Sequence, residues 1–208
     1  MIENCAIATM DGPRHDQGGT EYRSGHVTVT GDRITAVGEG QASSVPDGAR
    51  RIDGGGCLAT PGLVNTHHHL YQWLTQGRAQ QSVLFAWLTE LYPIWATIDA
   101  GQVHAAATAG LAWLALSGCT TSTDHHYIFP REALRGGGDA DALAAEVAAA
   151  ARVGLRWPRP RRPPAPLELL LVGGTPVVDG GELRTVDAAT AAREVRAARL
   201  RLVGPELS

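Results

Sequence analysis

The chain has 208 residues, a hydrophobic fraction of 44% and a charged fraction of 19%, the balance of a soluble globular protein. Its net charge of −3 gives no footing for binding nucleic acid or an anionic membrane, and no apolar run is long enough to span a bilayer. Cys5, Cys57 and Cys119 are few and widely spaced, which suits free thiols, and MIENCAIATMDG lacks the build of a signal peptide, so the cytoplasm is the expected location. The basic residues are all arginine, an imprint of GC-rich coding sequence rather than of guanidinium chemistry.

Residues 1–58 read as short strands joined by turns. In HVTVTGDRITAVGEG, Val27 and Val29 alternate ahead of Gly31-Asp32, and Ile34 and Ala36 follow, which predicts a hairpin. TPGLVNTHHHLYQ, residues 60–72, comes next: a Pro61-Gly62 turn, a short apolar strand and then His67 and His69. Residues i and i+2 of a strand share a side, so both imidazoles can face one cation while His68 points away. Imidazoles without thiolates or carboxylates suit zinc or iron better than magnesium. The plain alternative is a polar strand end.

SVLFAWLTELYPIWATI then predicts a helix with Leu84, Trp87, Leu88, Leu91 and Trp95 on one face, kinked or ended by Pro93. Asp99 is placed to cap a second helix that Gly118 stops. CTTSTDHHYIF reads as a strand ending in Asp124, His125 and His126. A third helix follows, capped by Asp139, with Leu143 and Val147 on its face and Gly154 at its end. Leu155-Arg156-Trp157 opens a third strand. The order β-α-β-α-β is the start of a parallel barrel. The tryptophans read as packing residues.

RWPRPRRPPAP, residues 156–166, cannot continue a barrel strand, because proline removes ladder donors. Such a segment can also adopt polyproline II form and dock in an aromatic groove. LELLLVGGTPVVDGGELRTVD, residues 167–187, returns to strands broken by glycine pairs, and residues 188–208 predict a terminal helix with Val195, Ala198 and Leu202 along a stripe.

NTHHHLYQ and SGCTTSTDHHYIFP resemble the amidohydrolase superfamily, on the side of members that deaminate purines or triazines. The likeness covers residues 1–156 and resumes at 167. It implies an α/β fold: an incomplete parallel (β/α) barrel of three strands and two helices over 61–157, plus a small β-sandwich built from 1–60 and 167–187. Residues 158–166 form the junction. A whole barrel takes about 250 residues, so the jump at the junction reads as a large internal deletion. By the resemblance, His67 and His69 are metal ligands, zinc ahead of iron, and Gln72 contacts the edge of the base. Gln72 read alone is a surface amide. Asp124, His125 and His126 would line the substrate pocket or serve as substitute ligands, or simply end a strand. The remaining ligands and the proton carrier would come from strands five, six and eight, which this sequence lacks.

Metal binding is therefore expected to be weak. The resemblance implies a deaminase of 8-oxoguanine or a related small heterocycle. The chain as it stands is expected to be an inactive remnant, or an interaction module that uses its Pro/Arg segment.

Overall fold

A computed structural model describes residues 1–13, 18–45, 47–128, 138–156 and 169–203, with backbone alone for 138–141. Trp157, the Pro/Arg junction and the Asp139 side chain lie outside the described residues. Two compact units are present: Met1–Gly62 with Leu171–Thr175, and Leu63–Leu170 with Pro176–Ser208.

In the first unit, β1 (Ile2–Ala8), β2 (Glu21–Thr30), β3 (Arg33–Glu39) and β4 (Ile52–Asp53) form a sheet in the order β3-β2-β1-β4, and β5 (Leu58–Ala59) also pairs with β1. Thr30 faces Arg33 across the β2–β3 hairpin, leaving Gly31-Asp32 as the expected two-residue turn. Gly31 sits at φ +60°, the left-handed region that a tight hairpin turn asks of glycine. Cys5 and Ile7, two apart on β1, are both buried, the period expected of a half-buried strand.

The chain's last strands, β8 (Leu169–Val172), β9 (Thr175–Asp179) and β10 (Glu182–Leu183), form a sheet of their own in the order β10-β9-β8. The β8–β9 tip, Leu171–Thr175, belongs with the first unit. A Cβ on Gly174 would lie 2.0 Å from the Gly31 carbonyl oxygen, so only glycine permits that approach.

The second unit is built around two parallel strands, β6 (Leu63–Asn65) and β7 (Cys119–Ser122). The predicted third strand is represented by Arg156, which bridges Thr121 in parallel, with Arg156 N donating to Thr120 O at 2.9 Å and Ser122 N to Arg156 O at 3.0 Å. Helices α1 (Leu84–Trp95) and α2 (Ala100–Leu116) connect β6 to β7. Helices α3 (Gly138–Val153) and α4 (Ala188–Val203) follow.

Asp99 caps α2 as predicted. Its carboxylate accepts from Gln102 N at 2.7 Å, and Gln102 Oε1 accepts from Asp99 N at 2.9 Å, a reciprocal box that satisfies two otherwise unpaired donors. α2 is buried almost all round, and the core of the unit gathers on it through Tyr71, Leu74, Leu91, Trp95 and Val103.

Pro93 lies inside α1, two residues before its end at Trp95, where proline forfeits one helical bond. Two expected helix faces need correction. Leu84 is 73% exposed, so the apolar face narrows to Leu91 and Trp95, with Trp87 and Leu88 partly buried. In α3, Leu143 and Val147 are exposed, and the buried face is Ala142, Glu146, Ala149, Ala150 and Val153.

Candidate metal centre

Asn65, the buried last residue of β6, donates from Nδ2 to Ser122 Oγ at 3.1 Å and ties the two strand ends together. The chain leaves β6 extended, so its side chains alternate. His67 and His69 meet on one side, with their Nε2 atoms 3.2 Å apart. His68 turns the other way, where its Nε2 accepts from Trp73 Nε1 at 3.0 Å. Burial, aided by the neighbouring histidines, lowers the His68 pKa to about 4, so this ring is neutral.

His69 Nδ1 lies 2.8 Å from the His125 carbonyl oxygen. A carbonyl only accepts, so Nδ1 carries the proton and Nε2 keeps its lone pair on the side of His67. That is the tautomer and the outer hydrogen bond of a metal-binding histidine. Two nitrogens about 2.0–2.1 Å from one tetrahedral ion lie about 3.3 Å apart. The pair fits an ion such as zinc.

The next turn is a 3₁₀ helix, Leu70–Thr75, anchored by the fully buried Leu70, Tyr71 and Leu74. Asp124 Oδ1 accepts from Leu70 N at 2.6 Å. On α2, a Cβ at Gly110 would lie 2.8 Å from Trp73 Nε1, so glycine lets the turn pack closely. The turn presents Gln72, whose Nε2 donates to Tyr127 Oη at 3.3 Å and to Tyr71 Oη at 3.4 Å. The Tyr127 ring stands edge-on to His69, with centroids 5.1 Å apart. His67, His69, Gln72 and His125 are thus brought together, His125 with its ring centroid 4.4 Å from that of His67.

Asp124 and His126 go elsewhere. Their side chains are 1% and 3% exposed, and His126 Nδ1 lies 2.8 Å from Glu146 Oε1 and 3.8 Å from Asp124 Oδ2. His126 Nε2 donates to the Ile128 carbonyl at 2.8 Å. Burial, and then the Glu146 charge, push the Asp124 carboxyl up to about 8. Burial works against the charged form of His126, but Glu146 and Asp124 outweigh it and raise its pKa.

Tyr127 and Glu146 join these residues although no motif marks them. Tyr127 follows His125 by two, the same alternation that pairs His67 with His69. Glu146 was legible as the acidic residue in phase with Ala142, Ala149 and Val153 of an alanine-rich helix.

Comparisons with known proteins give the family. Residues 58–200 match the Amidohydrolase family. The 8-oxoguanine deaminase of Pseudomonas aeruginosa is 43% identical over 114 residues, 54% of this chain and 25% of that protein. Hydroxydechloroatrazine ethylaminohydrolase of Pseudomonas sp. strain ADP is 34% identical over 108 residues, 50% of this chain and 21% of that protein. The crystal structure of atrazine chlorohydrolase TrzN from Arthrobacter aurescens TC1, complexed with zinc, superposes with a TM-score of 0.61 at 29% identity, over 74% of this chain and 34% of that one. The chain therefore spans about a quarter or less of the length of these two curated relatives. Their names are those of a deaminase and an ethylaminohydrolase. By the match over most of its length, the chain belongs to the amidohydrolase family.

Proposed function

We propose that His67 and His69 hold a divalent metal, zinc ahead of iron, in the opening part of a (β/α) barrel aminohydrolase. Its substrate would be an oxidised purine such as 8-oxoguanine, or a related triazine. The observation that carries this reading is the Nε2–Nε2 separation of 3.2 Å, with the His69 tautomer fixed by the His125 carbonyl. A bound divalent ion supplies Lewis acidity that makes water a competent nucleophile near neutral pH.

Around it, this chain's residues bind and orient. Gln72 offers an amide to the edge of the heterocycle, and Tyr127 holds that amide from beside His69. The composite β-domain of 1–60 and 167–187 belongs to the same proposal, supported by the Leu171–Thr175 tip that groups with Met1–Gly62, whereas Pro176 onward groups with the second unit. A cytoplasmic location fits the three free cysteines; among the described residues no helix is long and apolar enough to cross a membrane.

The 208-residue chain is proposed to be inactive by itself. In the family pattern the proton carrier and further ligands come from later strand ends, and loss of a general base alone costs about 10²- to 10⁴-fold. Ammonia release from 8-oxoguanine, guanine and hydroxylated triazines, assayed with added zinc or iron, tests this. None is expected. Metal-dependent release abolished by His67→Ala would overturn the inactivity. A longer chain restoring the intervening strands is expected to deaminate one of these substrates, and its failure on all of them would overturn the substrate class.

A further inference from the structure

We propose that Asp124, His126 and Glu146 form a second divalent-cation site inside the second unit, made of donors other than the His67/His69 pair. One ligand atom from each of the three lies within 4.8 Å of the others. Asp124 Oδ2 and Glu146 Oε2 are both fully buried without a hydrogen-bond partner. Buried carboxylate oxygens left unpaired are costly, and each of these belongs to a side chain only 1% exposed.

The imidazole is already prepared. The Ile128 carbonyl takes the Nε2 proton, so a neutral His126 directs the lone pair of Nδ1 at Glu146 Oε1, 2.8 Å away. A lone pair facing a carboxylate at that distance needs a positive centre between them. A ring nitrogen that binds metal while the other ring nitrogen donates to a backbone carbonyl is the usual arrangement.

Charge and donor number agree. Two carboxylates and a neutral imidazole carry two negative charges, which one divalent ion cancels. Asp124 Oδ1 remains occupied by Leu70 N. Asp124 Oδ2, both oxygens of Glu146 and His126 Nδ1 are then the available donors. One nitrogen with three oxygens suits zinc, manganese or ferrous iron better than a thiolate-seeking metal. Protons could balance the same cluster, with an imidazolium and one protonated carboxyl, so the experiment must separate an ion from a proton pair.

The test uses the full chain carrying His67→Ala and His69→Ala, which removes the exposed pair and leaves the buried cluster intact. The chain is freed of metal with a chelator and equilibrated with zinc, and bound zinc is measured by equilibrium dialysis. One equivalent is expected, with a rise in melting temperature, and Glu146→Gln in the same background should lower zinc affinity at least tenfold. Asp124→Asn serves as the second variant should Glu146→Gln unfold, with far-ultraviolet circular dichroism as the check. No bound zinc would mean that protons alone neutralise the cluster, and the proposal would be overturned. Bound zinc that neither folded variant weakens would place the ion elsewhere and overturn it equally.

Discussion

The strand ends after β6 and β7 carry the same alternation and use it in opposite ways. Beyond β6, His67 and His69 point outward together and His68 turns inward to Trp73. Beyond β7, His125 points outward to the ring of His67, while Asp124 and His126 turn inward to Glu146. The outward set lies on the more open side, with the His69 Nε2 lone pair turned toward His67. The inward set is closed off and must neutralise its own charge. Residue type alone does not separate them, since both contain histidine; the position within a period of two does.

The largest way to break this comparison is to remove a member of the inward set. In the metal-free chain, Glu146→Ala should cost about 3–5 kcal/mol in urea unfolding, as for a buried ionic partner left alone. His67→Ala, at an exposed position, should stay within about 0.5 kcal/mol. Equal effects at the two positions would erase the distinction.

A second effect is pH dependence. Asp124 has a folded pKa of about 8 against an ordinary 3.8, so the folded state holds a proton that the unfolded chain has already released. The resulting stability is fully present below about pH 4, declines as pH rises and is gone once pH passes about 8. His126, also raised, acts in the same direction, losing its contribution as pH climbs through its folded value. The metal-free chain should therefore lose more than about 1 kcal/mol between pH 5 and 9, and Asp124→Asn should flatten the decline. Stability that rises over this range would contradict the protonation assigned to the inward set.

A smaller effect sharpens the outward set. His125 steadies His69 through its backbone carbonyl, not its ring. His125→Ala should then change zinc affinity by less than about threefold, against the 10- to 100-fold typical of losing an outer hydrogen-bond partner. Asp99→Ala, remote from both sets, should cost about 1 kcal/mol through the lost cap of α2, measured by thermal unfolding.

What could be read beforehand was local. The Gly31-Asp32 hairpin, the Asp99–Gln102 cap and the shared side of His67 and His69 each depend on a few neighbouring residues. Their backbone geometry follows from residue type. The faces of α1 and α3 differ from those the stripes predict because an apolar stripe says which residues can be buried, not which partner arrives. Leu143 and Val147 are the larger apolar residues of α3, yet the helix buries its alanines and Glu146. Small side chains admit the close neighbour α2, to which His104 Nδ1 links by donating to the Ala145 carbonyl at 3.1 Å. Leu63 and Val64 carry a related lesson. Parallel strands are normally covered on both faces, but these are 39% and 54% exposed, so an apolar run alone does not say that both faces of β6 are covered.

The most direct test of the central claim is zinc titration of the chain carrying Glu146→Gln, which weakens the inward donors and leaves the outward pair. X-ray absorption at one equivalent of zinc should show two histidine-type nitrogen scatterers at about 2.0–2.1 Å, and both binding and signal should disappear with His67→Ala or His69→Ala. Zinc binding that survives both substitutions unchanged would contradict the assignment of His67 and His69 as the metal ligands.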